Sequence, residues 1–233
     1  MKLALLSDIH GNFEALKTVL EDIDRHEPED VVCLGDVVGY GANPSECLAL
    51  VRERCSSIIL GNHDEAAFNP DQAIYFNFHA RVAIEWTYRA LSDDDRAFLE
   101  TLPISVTRHD VLCVHSTPRS PKEWEYIIDE IDAREAFRWF TEKFCCIGHS
   151  HVPGIYAEKR KSQPTDPDYR ALVNVGSVGQ PRDQDPRASW CLLDTETAGI
   201  TINRVGYDID AAAAKIRRAG LPPQLADRLY KGI

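Results

Sequence analysis

The sequence predicts an α/β fold in which buried, largely parallel strands carry polar loops at their ends. In the first 60 residues, three apolar runs each give way to a polar loop and then to a helical pattern, at residues 2–7, 31–34 and 57–60. Near-continuous apolar strands that alternate with helices are typical of a parallel sheet buried on both faces. The later part of the chain is β-rich, with strand-like runs at residues 104–108, 111–114, 144–147, 170–175, 188–193 and 199–204.

Helix signals follow the first two strands. Asn12 is the predicted N-cap of one helix, and Pro44 suits the first turn of the next. Residues 65–101 are mainly helical, with a helix start at Ser92 that is followed by three aspartates.

The remaining elements are a hairpin, two helical stretches and one long loop. His109 and Asp110 separate two strand-like runs so closely that they predict the hairpin turn. The helical stretches are residues 126–140 and 208–233, and residues 159–169 form the solvated loop. Because no internal repeat or linker is visible, we expect a single domain over residues 1–233.

Composition restricts the compartment and the partners. A net charge of -11 argues against a broad nucleic-acid-binding surface. The seven cysteines lie mostly in apolar runs without CxxC spacing, which favours a reduced, cytoplasmic protein. The apolar N-terminal run reaches Asp8 too soon for a signal peptide or a membrane span, so no membrane association is expected. A homo-oligomer is compatible with the sequence.

Metal-capable side chains follow five of the predicted strands. They are Asp8 and His10, then Asp36, then Asn62 and His63, then His115, then His149 and His151. Ligands of such sheets gather outside the carboxyl ends of strands, so the pattern predicts one dinuclear metal site there. Carboxylate, imidazole and amide donors without a thiolate favour Mn, Fe, Zn, Co or Ni. The alternative is that these side chains make ordinary hydrogen bonds at strand ends.

Asp8 and His10 are separated by one residue, as are His149 and His151. Both members of such a pair can face one ion if the backbone there is extended, because alternate residues of a strand share a face. We therefore expect an extended backbone at these positions.

The same segments resemble the motif set of the calcineurin-like metallophosphoesterases. The motifs are Asp8-Ile9-His10, Gly35-Asp36, Gly61-Asn62-His63-Asp64, His115 and Gly148-His149-Ser150-His151. Residues 174–182 resemble the tail of the small bacterial and archaeal phosphodiesterase branch. The resemblance implies a four-layer αββα sandwich of two mixed β-sheets flanked by helices.

The resemblance also implies a role for each ligand. One divalent ion would be held by Asp8, His10, Asp36 and His151, and a second by Asp36, Asn62, His115 and His149. Asp36 would bridge the two ions, which share an attacking hydroxide, and His63 would lie beside the substrate phosphate as a catalytic residue. The candidates for substrate binding are Asn62, Tyr40, Arg119 and Arg182; each arginine has the alternative of a surface ion pair.

The predicted activity is that of a metal-dependent phosphoric ester hydrolase, a phosphodiesterase with some phosphomonoesterase activity on a small phosphorylated compound. The alternative is a serine/threonine phosphoprotein phosphatase or a dinucleoside polyphosphate hydrolase. Those families follow their Gly-Asp with an arginine that residues 37–41 lack, and Asp64 stands where they have Glu. A non-catalytic interaction scaffold is a third hypothesis, against which the complete ligand set and His63 argue.

Overall fold

The computed structural model describes residues 1–159 and 162–233. Residues 160 and 161 of the predicted loop therefore lie outside the described residues. The strands are β1 Lys2–Leu6, β2 Asp30–Cys33, β3 Ser57–Ile58, β4 Ser105–Arg108, β5 Val111–Val114, β6 Phe144–Ile147, β7 Gly154–Ala157, β8 Ala171–Asn174, β9 Ala188–Asp194 and β10 Gly199–Val205. The α-helices are α1 Phe13–Arg25, α2 Pro44–Arg54, α3 Asn62–Phe68, α4 Phe78–Ala90, α5 Asp93–Glu100, α6 Glu130–Ala136, α7 Ile209–Arg218 and α8 Pro223–Asp227. No helix in the described ranges is long and apolar enough to cross a bilayer.

Two mixed five-stranded sheets are flanked by helices, which confirms the sandwich implied by the resemblance. The first sheet has the order β10-β9-β1-β2-β3 and the second the order β4-β5-β6-β8-β7. In the first sheet β1, β2 and β3 are parallel, as predicted, and β9 and β10 are antiparallel additions. In the second, β5, β6 and β8 are parallel, with antiparallel β4 and β7 at the edges.

Strand β1 is buried on both faces, which explains its continuous apolar sequence. Leu3 and Leu5 pack with Cys146 of the second sheet in the core between the sheets. Ala4 and Leu6, which alternate with them, belong to the core between the first sheet and helices α1 and α2. Alternate residues of a strand face opposite sides, so β1 contributes to two cores at once.

The helix predicted over residues 126–140 is shorter than expected. Helix α6 begins at Glu130 because Asp129 caps it, with a side-chain oxygen that accepts hydrogen bonds from the N–H groups of Ile131 and Asp132. Residues 126–129 are irregular, and Ile128 is 70% exposed. Ile127 is buried while its neighbour Ile128 is exposed, so the apolar residues there do not form one helical face.

Two strands also differ from the sequence prediction. Strand β7, at residues 154–157, was not predicted; its four residues include a glycine and follow a proline, so no apolar run marks it. Strand β3 ends at Ile58, two residues before the end of its apolar run. The hairpin of β4 and β5 is confirmed. Both turn residues, His109 and Asp110, have positive φ, as a two-residue type I′ turn requires.

Ile23 and Ile131 offer a matched test of this packing, because both are helical isoleucines but Ile23 is 1% exposed and Ile131 is 75% exposed. We expect Ile23→Ala to lower the free energy of unfolding by about 2–5 kcal/mol, since it leaves a cavity between α1 and the first sheet. Ile131→Ala should change it by no more than about 0.5 kcal/mol. Urea unfolding measures both values, and equal losses would contradict the packing of α1 described above.

Candidate metal centre

The predicted ligands meet where the carboxyl ends of the parallel strands of both sheets converge. Asp8 and His10 follow β1, Asp36 follows β2, and His115 follows β5. The ligand atoms of Asp8, His10 and His151 all lie within 4.8 Å of one another, and so do those of Asp36, His115 and His149. We call these the first and second ligand clusters.

The two clusters adjoin each other at Asp36. In the first cluster, His151 Nε2 lies 3.2 Å from Asp8 Oδ1 and 3.1 Å from His10 Nε2. In the second, His115 Nε2 lies 3.4 Å from Asp36 Oδ2. The same Asp36 oxygen lies 3.6 Å from His10 Nε2, so it faces both clusters.

Backbone carbonyl groups orient three of the imidazole rings. A carbonyl oxygen only accepts hydrogen bonds, so the ring nitrogen that contacts it must carry the proton and the other nitrogen is left with its lone pair. The pairs are His10 Nδ1 with Val38 O at 3.1 Å, His115 Nδ1 with Leu34 O at 2.8 Å, and His151 Nδ1 with Gln180 O at 2.6 Å. In all three rings Nε2 is therefore the nitrogen that faces the clusters, and it offers a lone pair whenever the ring is neutral.

The ring of His149 is held the opposite way. Its Nε2 lies 2.8 Å from the carbonyl oxygen of Trp124, which leaves Nδ1 as the ligand atom. Tyr126 stacks on the same ring, with centroids 4.1 Å apart and an interplanar angle of 14°. The irregular segment before α6 thus fixes one ring of the second cluster.

The donor set fits a bound cation. His151 Nε2 and Asp8 Oδ1 are close, yet the tautomer of His151 gives neither atom a proton to share, so two lone pairs oppose each other. Asp8 Oδ1 and Asn62 Oδ1 are buried and have no hydrogen-bond partner among the residues described. Unpaired buried acceptors are costly, and a cation bound beside each of them removes that cost.

Each carboxylate uses its remaining oxygen to accept a backbone hydrogen bond. Asp8 Oδ2 accepts from the N–H of His149 at 3.0 Å, and Asp36 Oδ1 accepts from the N–H of His63 at 2.8 Å. Both aspartates are almost completely buried. One oxygen of each is therefore fixed by the backbone and the other is left for the ligand cluster.

The expectation of an extended backbone at the ligand pairs is wrong. Asp8, His10, Asp36, His149 and His151 all have φ between +51° and +66°, in the left-handed region that non-glycine residues rarely adopt. The chain curls at these residues and brings Asp8 Oδ1 within 3.8 Å of His10 Nε2. Each such residue costs roughly 1–3 kcal/mol, a strain that clusters at functional sites.

Two glycines allow the carboxylates to approach the backbone. A Cβ atom at Gly61 would collide with the carboxylate and the backbone nitrogen of Asp36, and one at Gly148 would collide with Ser7 and the carboxylate of Asp8. The glycines in the Gly-Asn-His and Gly-His-Ser-His motifs are thus explained by close contact.

The protonation pattern shows strong coupling between the charges. Burial alone lowers the pKa of His115, but the carboxylates of Asp36 and Asp8 outweigh it and raise that pKa to about 9. Burial, with the positive charge of His115, lowers the pKa of His149 to about 3. These carboxylates therefore favour the protonated form of His115, and a metal ion that binds its Nε2 competes with that proton.

Asp64 lies beside the clusters without joining either. Its Oδ1 accepts from the N–H of Val38 at 3.1 Å and its Oδ2 from the N–H of Gly61 at 3.2 Å. Burial, with the charge of Asp36, raises the pKa of Asp64 to about 7. Asp64 therefore links the loop after β2 to the loop after β3.

A cavity of about 660 Å³ opens beside the ligand clusters, with Asn62, His63 and His149 in its wall. The ring of His63 lies 4.4 Å from Tyr40 and 4.8 Å from His10, measured between centroids. One ring nitrogen of His63 is also within 4.8 Å of ligand atoms of His10 and Asp36, so position alone does not separate a ligand from a catalytic histidine. Burial lowers the pKa of His63 to about 4.

Of the other predicted substrate-binding residues, Tyr40 and Arg182 lie near the site and Arg119 does not. Tyr40 lines the cavity, and Arg182 Nη2 lies 3.5 Å from its hydroxyl oxygen. The guanidinium of Arg119 instead pairs with both carboxylate oxygens of Glu125, at 2.6 and 2.5 Å, and lines a separate surface cleft. The surface ion pair was the correct alternative for Arg119.

Sequence reasoning missed the aromatic residues of the cavity wall, which are Tyr75, Phe76, Trp124 and Tyr126. They come from residues 70–77, which include a short 3₁₀-helix, and from the irregular segment before α6. Residues 70–77 and Tyr126 lie in segments predicted to be helical, and that pattern does not show which side chains face a cavity. The available signal was the density of aromatic residues in these two loops.

Comparison with known proteins places most of the chain in one family. The family model described as the calcineurin-like phosphoesterase superfamily domain matches residues 1–198. Residues 199–233 lie beyond the match, so the single-domain organisation over residues 1–233 stays a prediction. A protein of Methanocaldococcus jannaschii described as uncharacterized is 38% identical and is aligned over 99% of this chain and 98% of its own length.

Solved structures share the whole fold. A crystal structure of a metallophosphoesterase from Sphaerobacter thermophilus is 36% identical, covers 100% of this chain and 99% of its own, and has a TM-score of 0.88. A hypothetical protein of Pyrococcus horikoshii has a TM-score of 0.84 at 22% identity, with 100% of this chain and 98% of its own covered. A serine/threonine-protein phosphatase of Salmonella typhimurium is 29% identical over 54% of this chain and 63% of its own length.

The position of Asp36 between the clusters leads to a prediction about metal content. Asp36→Asn should lose bound metal, because the amide removes the negative charge that both clusters share, while its oxygen can still accept from His63. The measurement is elemental analysis of Mn²⁺-equilibrated protein after gel filtration, with circular dichroism to confirm folding.

Asp64→Asn is the matched control, since Asp64 is equally buried but accepts only from backbone N–H groups. It should retain the wild-type metal content. If both variants kept their metal, or if both lost it, the assignment of Asp36 as a shared ligand would be incorrect.

Proposed function

The chain belongs to the calcineurin-like phosphoesterase superfamily, and from this premise we propose that it is a dinuclear metal-dependent phosphodiesterase with some phosphomonoesterase activity on a small phosphorylated compound. The observation that carries the proposal is one carboxylate oxygen, Asp36 Oδ2, which faces two ligand clusters beside an open cavity. The similarity to the Sphaerobacter metallophosphoesterase over the whole chain supports the same reading.

Two divalent cations are assigned to the clusters, each with four protein ligands. The first set is Asp8, His10, Asp36 and His151, and the second is Asp36, Asn62, His115 and His149. The orientation of the rings and the unpaired oxygens of Asp8 and Asn62 support this assignment. Cations bound there would lower the pKa of a water molecule and withdraw charge from the phosphate oxygens.

Hydrolysis adds the oxygen of one water molecule to phosphorus, breaks the bond to the leaving-group oxygen and supplies a proton to that oxygen. Because a water molecule supplies the attacking oxygen, this mechanism requires no phosphorylated protein residue. His63 lines the cavity, and we assign to it the donation of a proton to the leaving-group oxygen. Phe76 and Tyr40 pack against that ring, with centroids 4.5 and 4.4 Å from it.

Arg182 is the cationic residue assigned to the phosphate. It is half-buried, and its Nε has no hydrogen-bond partner among residues 1–159 and 162–233. Its Nη2 donates to Gln180 Oε1 at 3.0 Å, and the Gln180 backbone carbonyl in turn orients His151. A guanidinium fork held in this way suits the peripheral oxygens of a phosphate group.

A phosphodiester is favoured because the cavity has room for a second ester group beside the phosphate. We expect the Mn²⁺-loaded protein to hydrolyse bis(p-nitrophenyl) phosphate faster than p-nitrophenyl phosphate. Release of p-nitrophenolate measures both rates, and chelation with EDTA should abolish them. Activity confined to phosphopeptides or to dinucleoside polyphosphates would favour the alternative functions instead.

His63→Ala should slow hydrolysis by roughly 100- to 10,000-fold, the usual contribution of a proton donor, while the metal content stays at the wild-type level. His109→Asn is the control, because His109 lies in the turn between β4 and β5 and Asn tolerates its positive φ. Both variants are compared by p-nitrophenolate release and by elemental analysis. Loss of metal from His63→Ala would mean that His63 is a ligand.

A further inference from the structure

The cavity beside the ligand clusters is larger than a phosphate ester group needs. Its volume of about 660 Å³ falls within the roughly 300–1,000 Å³ of sites that bind drug-sized ligands. The ligand clusters lie at one part of its wall, where Asn62, His63 and His149 contribute. The rest of the cavity is therefore available to the part of a substrate that does not react.

That remaining wall is rich in aromatic rings, several of them exposed. Tyr75 is 86% exposed and Tyr126 is 52% exposed, and Phe76 and Trp124 lie in the same wall. One face of Tyr126 is already covered by His149. Exposed aromatic rings at the mouth of a binding site offer flat surfaces on which a planar group can stack.

The charged and amide groups of the wall indicate what kind of planar group fits. Lys122 and Glu123 are the charged residues of the wall apart from the histidines, and they offset each other. A chain of several phosphates would require clustered cationic groups instead. Gln72 supplies a side-chain amide, a type of group that pairs with the edges of nucleobases. Asn77 supplies an amide N–H₂ group, because its Oδ1 already accepts from the N–H of Ala80 at 3.1 Å.

We propose that this cavity binds the nucleoside of a nucleoside phosphodiester, with the base stacked on the aromatic wall and the phosphate at the ligand clusters. The proposal rests on the phosphodiesterase function given above and specifies its substrate class. It also assigns Tyr75 as a residue that determines specificity, because its ring is the most exposed of the wall.

The first test is binding of a matched pair of ligands to the Mn²⁺-loaded protein by calorimetry. Adenosine 5′-monophosphate and ribose 5-phosphate carry the same phosphate and differ in the base. We expect the nucleotide to bind on the order of 10-fold more tightly, as a stacked base does on an aromatic side chain. Equal affinities would overturn the proposal.

Variants of Tyr75 separate stacking from other effects of the base. Tyr75→Ala should remove most of the preference for the nucleotide, and Tyr75→Phe should retain it because the ring remains. Tyr88→Ala is the control, since Tyr88 is also partly exposed, at 38%, but lies on α4 outside the cavity wall. A preference that survives Tyr75→Ala would overturn the role assigned to Tyr75.

A pair of esters distinguishes failure of this proposal from failure of the phosphodiesterase function. Thymidine 5′-(p-nitrophenyl phosphate) and methyl p-nitrophenyl phosphate share a leaving group and differ in the retained ester. The expected result is a kcat/KM on the order of 10-fold higher for the thymidine ester. Equal hydrolysis of both would overturn the nucleoside proposal and leave the function standing, whereas hydrolysis of neither would overturn the function itself.

Discussion

This structure depends on the burial of two neighbouring carboxylates, those of Asp8 and Asp36. Both are almost inaccessible to solvent, and an ionised group taken out of water costs several kcal/mol unless it is compensated. Compensation comes from four imidazoles and from backbone N–H groups that donate to one oxygen of each aspartate. The left-handed ligand residues and the close-packed glycines follow from the need to bring these groups into one small volume.

Two sheets are needed because neither supplies the whole site. The first provides Asp8, His10 and Asp36 after its parallel strands, and the second provides the remaining three imidazoles after β5 and β6. The sheets are also joined at the site, since Leu34 of the first accepts from His115 Nδ1 at 2.8 Å. The ligand clusters are thus part of the contact between the two sheets.

The sequence was sufficient for nine of the ten strands in the described residues, for the polar residues that follow five of them, and for the side chains that meet there. Each of those signals is local: an apolar run, a following polar residue, a helix cap. The left-handed backbone at Asp8 and His10 was not predictable, because it results from contacts with loops distant in sequence. Arg119 was misplaced because proximity to His115 in sequence said nothing about Glu125, with which it pairs. The aromatic residues 75, 76, 124 and 126 of the cavity wall were missed because they lie in loops, and the sequence of a loop does not show which of its side chains face a cavity.

The position of β1 in the first sheet has a consequence for how the chain is made. Strand β1 pairs with β2 on one side and, on the other, with β9, so that Lys2 faces Asp194. At a synthesis rate of about 5–20 residues per second, roughly 10–40 s separate the two strands on the ribosome. During that interval one edge of β1 lacks its native partner, and an exposed apolar edge is a site for incorrect pairing. The nascent chain therefore contains every proposed ligand before it contains β9, the second neighbour of β1.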